Sequence, residues 1–254
     1  MIYQTLNISK HNEKIKILEL CNFRKLNVLS QKFFDEFNDI IDNLNEDKNI
    51  RTLIIKGNEK VFSAGGDLSE IQKAEQNEAY LMCWRVQKSF ERLMSLRFPV
   101  IAVLDGIVFG GGFELALHCD LRFCTENTIL RLPEVDMGLI PGAGGISIFS
   151  RFFSNSDAAY YLFSGEQIPV EEALKKGIIQ KVLKREEILN FAINFAEEIS
   201  QKPPESISAI KRILFSNLFK NLDDCMKMEA KEFSSVLEKC GKEKIKQFFD
   251  SRNL

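Results

Sequence analysis

Two carboxylates and three glycine-rich turns are the residues whose types and spacing suit chemistry. Glu114 follows Gly110-Gly111-Gly112, and Glu134 follows Pro133. The other turns are Phe62-Ser63-Ala64-Gly65-Gly66-Asp67-Leu68 and Pro141-Gly142-Ala143-Gly144-Gly145. A glycine triplet that opens a helix leaves unpaired N–H groups at a positive helix end, with no Cβ to keep a ligand away. Such a place holds an oxygen that gains negative charge. A second N–H, from Gly65-Gly66, would complete an oxyanion hole, whose loss costs on the order of 10²–10³ in rate. Glu114 falls in the first turn of the same helix, which suits a general base. Two carboxylates at one pocket can divide acid and base work, because each disfavours ionisation of the other.

Taken singly, these features have plainer readings. Each glycine cluster is a tight turn, Glu114 a solvated first-turn residue and Glu134 a surface-loop carboxylate. Their conjunction is what points to a site. Other arrangements find less support. Phe62-Ser63-Ala64-Gly65 lacks the first glycine of a serine-hydrolase elbow. Gly142-Ala143-Gly144-Gly145 has no buried strand before it and no well-placed third glycine, so it is a poor dinucleotide fingerprint. His11 and His118 are the only histidines. His118 shares a helical face with Glu114 and reads as a core or helix-end residue.

The elements that must position these residues alternate between strand and helix. Ile15, Ile17 and Leu20 lie in a β-like run. Phe33, Phe37, Ile40, Ile41 and Leu44 recur on one helical face, with Ser30 as a candidate N-cap. Thr52-Leu53-Ile54-Ile55 and Pro99–Leu104 read as buried strands, with a helix from about Tyr80 to Leu96 between them. This alternation predicts an α/β fold with at least partly parallel pairing. From Glu186 onward the pattern is helical: a stripe of Ile188, Phe191, Ala192, Phe195, Ala196 and Ile199, then segments near Ser206–Asn217, Leu222–Leu237 and Lys242–Asp250. Phe215, Phe219, Phe233, Phe248 and Phe249 suit packing on the α/β part and a subunit interface equally. No simple repeat of fixed length is visible.

Composition bounds the function classes. The chain has 254 residues, 45% hydrophobic and 28% charged, enough for a large core and unlike a disordered chain. A net charge of −2 gives no reason to expect nucleic acid or an anionic membrane as partner. The six cysteines are scattered, without a C-x-x-C pair, and read as idle thiols in a reducing cytoplasm rather than disulfides or zinc ligands. No apolar run has the form of a secretion signal. The stretch Phe98–Leu117 is broken by Asp105 and Glu114 and reads as strand, turn and helix rather than a membrane span.

In order along the chain, Phe62–Leu68, Asp105-Gly106, Phe109–Ala116, Cys119-Asp120, Pro133-Glu134, Gly138 and Pro141–Gly145 resemble the crotonase family, and enoyl-CoA hydratases most closely. Ser164-Gly165, Ala173 and Gly177 also fall where that family has them, so the resemblance spans nearly the whole chain. It implies a spiral of repeated β-β-α units over residues 1–200, holding an acyl-CoA site. A C-terminal helical region, 201–254, would build a homotrimer or a dimer of trimers. The resemblance implies that the N–H groups of Gly66 and Gly111 hold the thioester carbonyl oxygen. Glu114 would activate water for attack at C3, and Glu134 would deliver a proton to C2. Gly142 matches a backbone position that helps hold the water, and Ala64 a carbonyl that meets adenine. Arg24 matches a basic CoA-contacting position, which makes Arg24, Lys25 and Leu26 a substrate-binding stretch.

The chain also departs from the family pattern. Ser69 and Ser251 stand where family hydratases commonly carry Lys, leaving Arg24 and Lys25 as the candidates for the CoA phosphates. Ile146-Ser147-Ile148-Phe149 replaces the usual Thr-Gln-Arg-Leu. The reaction implied is hydration of a 2-enoyl-CoA to a 3-hydroxyacyl-CoA, with no metal and no cofactor beyond the CoA of the substrate. Retention of both glutamates favours it. The alternatives are isomerisation between 3-enoyl- and 2-enoyl-CoA, with Glu134 alone moving the proton, and a non-catalytic acyl-CoA-binding protein. A glycosidase, the other use of a carboxylate pair, is disfavoured by one Trp, four Tyr and the glycine-triplet helix start.

Overall fold

Strands covered on both faces read as near-continuous apolar runs, and two segments of the chain have that form. In a computed structural model that describes residues 3–22, 26–218, 227, 230, 231, 233–235 and 237–251, they are β3 (Thr52–Lys56) and β5 (Val100–Leu104). They lie at the centre of a six-stranded sheet. Its other strands are β1 (Leu6–Lys10), β2 (Ile15–Leu20), β7 (Leu121–Thr125) and β9 (Lys181–Leu183), in the order β1-β2-β3-β5-β7-β9. Only β1 and β2 pair antiparallel; the other neighbours are parallel, with Ile54 opposite Ile101.

Alternation along the strands divides the core. Ile54, Ile101 and Val103 face α8 (Arg185–Ser200), where they meet Ile188, Ala192 and Ala196. Leu53, Ile55, Val100, Ala102 and Leu104 face the larger cluster, with Phe33 and Phe37 from α1 (Gln31–Glu46) and Phe90 from α3 (Gln76–Met94). Ser30 caps α1, its side chain accepting from the Phe33 N–H, as the apolar stripe predicts. The helix expected from Tyr80 starts earlier, at Gln76, where Glu75 and Glu78 form a capping box.

A second, three-stranded sheet positions the site. Each of β3, β5 and β7 runs on into a short strand: β4 (Val61–Ser63), β6 (Ile107–Phe109) and β8 (Ile129–Arg131). These pair in parallel in the order β4-β6-β8. Helical segments follow each: α2 (Leu68–Ile71) and α3 after β4, α4 (Gly111–Leu117) after β6, and a 3-10 helix (Glu134–Met137) after β8. The β-β-α repeat is thus present three times. The turn from β5 to β6 needs a glycine: Gly106 has φ +64°, and a Cβ there would lie 2.0 Å from the Lys60 carbonyl oxygen.

After α6 (Asn155–Ser164), α7 (Val170–Lys175) and α8, the C-terminal part begins with α9 (Pro204–Leu218), joined to the sheet by the buried Lys211, whose Nζ donates to Asp120 and to the Phe98 carbonyl. The sequence segment Leu222–Leu237 lies largely outside the described residues, as does the whole side chain of Phe219. A π-helical turn (Leu237–Gly241) leads to α10 (Lys242–Ser251). Phe233, Leu237 and Ile245 pack on Ala79 and Cys83 of α3 and on Leu139, so these helices close over the second sheet's end of the same chain. Cys83, Cys119 and Cys124 are buried free thiols, and Cys21 is a half-buried one. Among the described residues no helix is long and apolar enough to cross a membrane.

Candidate active site

Three parallel strands that end side by side bring three separate stretches of sequence to one edge. At the end of β4 stand Gly65 and Gly66; at the end of β6, Gly110 and Gly111; beyond β8, Glu134. The glycines allow a close approach. A Cβ on Gly65, at φ +97°, would lie 3.2 Å from the Gly111 nitrogen, and one on Gly111 would lie 3.5 Å from the Gly66 nitrogen. Gly111 is the first residue of α4, whose opening amides have no intrahelical acceptor. Among the described residues neither the Gly66 nor the Gly111 N–H has a hydrogen-bond acceptor.

Glu114 is buried, at 3% exposure, one turn into α4. Its Oε1 accepts two backbone hydrogen bonds, from Ala143 N–H and Gly145 N–H, both at 2.8 Å. The turn before α5 (Gly145–Phe149) therefore acts as an anchor for this carboxylate, and an oxygen that accepts two N–H groups is not the one bearing a proton. The far end of α4 is held by the buried Arg122, which donates to the carbonyls of Ala116, Leu117 and Cys119 and, through Nε, to that of Ile178.

Glu134 is not the surface-loop carboxylate that its sequence context alone allows. Its Oε1 sits against Gly110, where a Cβ would come within 2.9 Å. Its Oε2 is buried and has no hydrogen-bond partner among the described residues. Burial pushes this carboxyl up from 4.5 to about 7, and Asp136 adds to the effect. One carboxylate is thus pinned by amides, while the other sits where its neutral form is favoured.

Both carboxylates and both amides open on a single cavity of about 1160 Å³. Ala64, Gly142 and Leu26 line it too, as does Ser69, whose hydroxyl is engaged by Asp67. Leu26 is half-exposed at φ +54°, beside Asn27, whose side chain holds the Val61 and Phe62 carbonyls. Arg24 and Lys25 lie outside the described residues. Ser251 is exposed on α10, its hydroxyl donating to the Phe248 carbonyl. His118 is a core residue at the end of α4: Phe90 packs on its ring, and burial drives it down to about 4.

Other parts of the site have no motif in the sequence. Phe233 and Phe249, which pack in the cluster on α3 as the core reading expects, also line the cavity, together with Phe248. Cys83 of α3 packs against Gly142, and Gln87, one turn on, donates from Nε2 to the Gly142 carbonyl at 2.8 Å. A polar residue within the buried stripe of Ala79, Cys83, Phe90 and Leu93 is the one signal that marks Gln87 in the sequence.

Known proteins resemble this chain over most of its length. The family described as enoyl-CoA hydratase/isomerase matches residues 10–253. The chain belongs to the enoyl-CoA hydratase/isomerase family. A probable enoyl-CoA hydratase of Bacillus subtilis is 34% identical over 229 residues, 89% of each chain. A short-chain-enoyl-CoA hydratase of Clostridium acetobutylicum is 30% identical, over 87% of this chain and 85% of its own. The crystal structure of an enoyl-CoA hydratase from Bacillus anthracis superposes with a TM-score of 0.81 at 29% identity, covering 90% of both chains. Membership of this family makes the chain an enzyme of the hydratase type that acts on acyl-CoA thioesters.

Proposed function

We propose that the protein adds water across the double bond of a 2-enoyl-CoA, giving a 3-hydroxyacyl-CoA through an oxyanion-stabilised enolate. The observation that carries this reading is the contrast between the two carboxylates beside one pair of unengaged amides. Conjugate addition moves negative charge onto the thioester oxygen, and the Gly66 and Gly111 N–H groups receive it. Glu114, held through Oε1 by Ala143 and Gly145, takes a proton from water as its oxygen bonds to C3. Glu134, whose carboxyl burial raises to about 7, gives its proton to C2. One proton is taken and one given, and exchange with solvent restores both groups. No metal or redox cofactor enters the reaction.

In this reading Gly142 helps hold the attacking water, the Ala64 carbonyl meets the adenine, and Arg24, Lys25 and Leu26 are the substrate-binding stretch for the CoA. Support for a cytoplasmic enzyme comes from the buried free thiols. Assembly as a trimer or a dimer of trimers through residues 201–254 is supported by the exposed Ile210 and Leu214, one turn apart on α9. The test is to add a short 2-enoyl-CoA to the protein and follow the conjugated thioester's absorbance. Its loss, with formation of the 3-hydroxyacyl-CoA, is the expected result. Conversion of a 3-enoyl-CoA without hydration of the 2-enoyl-CoA would replace this reading with isomerisation. Binding without any turnover would leave an acyl-CoA-binding protein.

A further inference from the structure

We propose that Gln87 is a positioning residue that orients the Glu114 carboxylate by clamping a single peptide plane. Gln87 is 1% exposed and sits on α3, behind the cavity wall that Gly142 and Cys83 form. Its Nε2 donates to the Gly142 carbonyl oxygen at 2.8 Å. The Ala143 N–H that holds Glu114 Oε1 at 2.8 Å belongs to the same peptide unit as that carbonyl. A trans peptide is planar, and its C=O and N–H point in opposite directions. Holding the oxygen from the α3 side therefore aims the N–H at Glu114. The two hydrogen bonds also polarise the shared amide in the same sense, so each strengthens the other.

The packing around Gly142 agrees with a clamp. A Cβ on Gly142 would lie 2.9 Å from Cys83 Sγ and 2.8 Å from Phe233 Cδ2, so the residue is seated between α3 and the C-terminal helices. Glycine has a wide choice of backbone angles, and at Gly142 nothing intrinsic to the residue prevents the plane from turning over. A turned plane would present a carbonyl oxygen to the carboxylate in place of the N–H. The Gly145 N–H would then remain as the donor to Oε1 from this turn. Glu114 would keep its place on α4 but lose its aim.

This inference rests on the role given to Glu114 above, and its test separates the two. Gln87→Met keeps the length of the side chain and removes the donor; Gln87→Asn keeps an amide that falls short of the carbonyl. The wild-type protein and both variants are compared for 2-enoyl-CoA hydration and for hydrogen exchange at the Ala143 amide. With Gln87→Met, kcat falls about 10- to 100-fold with KM within about twofold, as expected for a misaimed catalytic group. The acidic limb of the kcat–pH profile moves to higher pH, and exchange at Ala143 quickens. Gln87→Asn shows the same changes to a smaller extent, and it carries the test if Gln87→Met does not fold. Unchanged kcat, or unchanged exchange at Ala143, in a folded variant overturns the proposal. If the wild-type protein itself fails to hydrate any 2-enoyl-CoA, the functional reading falls, and the exchange measurement alone decides whether Gln87 clamps the plane.

Discussion

Replacing Glu134 by Gln should make the protein more stable above neutral pH, with a much smaller gain near pH 5. The folded state holds the Glu134 proton up to about 7, whereas in the unfolded chain the carboxyl titrates near its ordinary 4.5. Between those values the folded state binds more protons than the unfolded state, so the contribution of this site to stability falls as pH rises. It is fully retained below about 4.5, and the loss is complete above about 7. The displacement of about 2.5 pH units corresponds to at most about 3 kcal/mol, less where water at the cavity mouth screens the charge. Gln cannot ionise, so Glu134→Gln removes this pH dependence. Urea unfolding of both proteins at pH 5, 6, 7 and 8, at one protein concentration, measures the difference. For a chain of 254 residues, each kcal/mol also moves Tm by roughly 2–4 °C. The variant should gain progressively on the wild type as pH increases. A constant difference across the series would show that Glu134 ionises at its ordinary value, and its assignment as proton donor would lose its physical basis.

Two further substitutions test the parts that hold Glu114. Gly145→Ala would place a Cβ 2.6 Å from Glu114 Oε1, and steady-state kinetics should show turnover down roughly 100-fold with far-ultraviolet circular dichroism unchanged. Arg122→Met removes a buried cation from the carbonyls of Ala116, Leu117, Cys119 and Ile178, and denaturant unfolding should report a loss of about 3 kcal/mol or more.

Legibility in the sequence followed element length and the distance over which a signal acts. The α1 stripe, its Ser30 cap, and the strands β3 and β5 were plain because each is a run long enough for its period to show. The strands β4, β6 and β8 are three residues each, too short for alternation to register, yet they are what gathers Gly66, Gly111 and Glu134. The β-β-α repeat, implied by the resemblance, leaves no fixed period in the sequence because the link from β4 to β5 contains α2 and the 19-residue α3, whereas β6 and β7 are separated by the 7-residue α4. At the site, the glycines and the two glutamates were legible from motif and resemblance. That the Glu134 carboxylate lies against Gly110 with Oε2 buried, and that Gln87 reaches the Gly142 carbonyl from 55 residues away, are facts of tertiary packing with no local signature.

The central claim is that the amides of Gly66 and Gly111 receive the thioester oxygen between two carboxylates of opposite protonation. A crystal structure with a saturated, unreactive acyl-CoA tests it most directly. The account predicts the thioester oxygen within about 3 Å of both nitrogens, with C2 facing Glu134 and C3 facing Glu114. A thioester oxygen bound away from either amide, or an acyl chain that leaves Glu134 out of reach of C2, would contradict it.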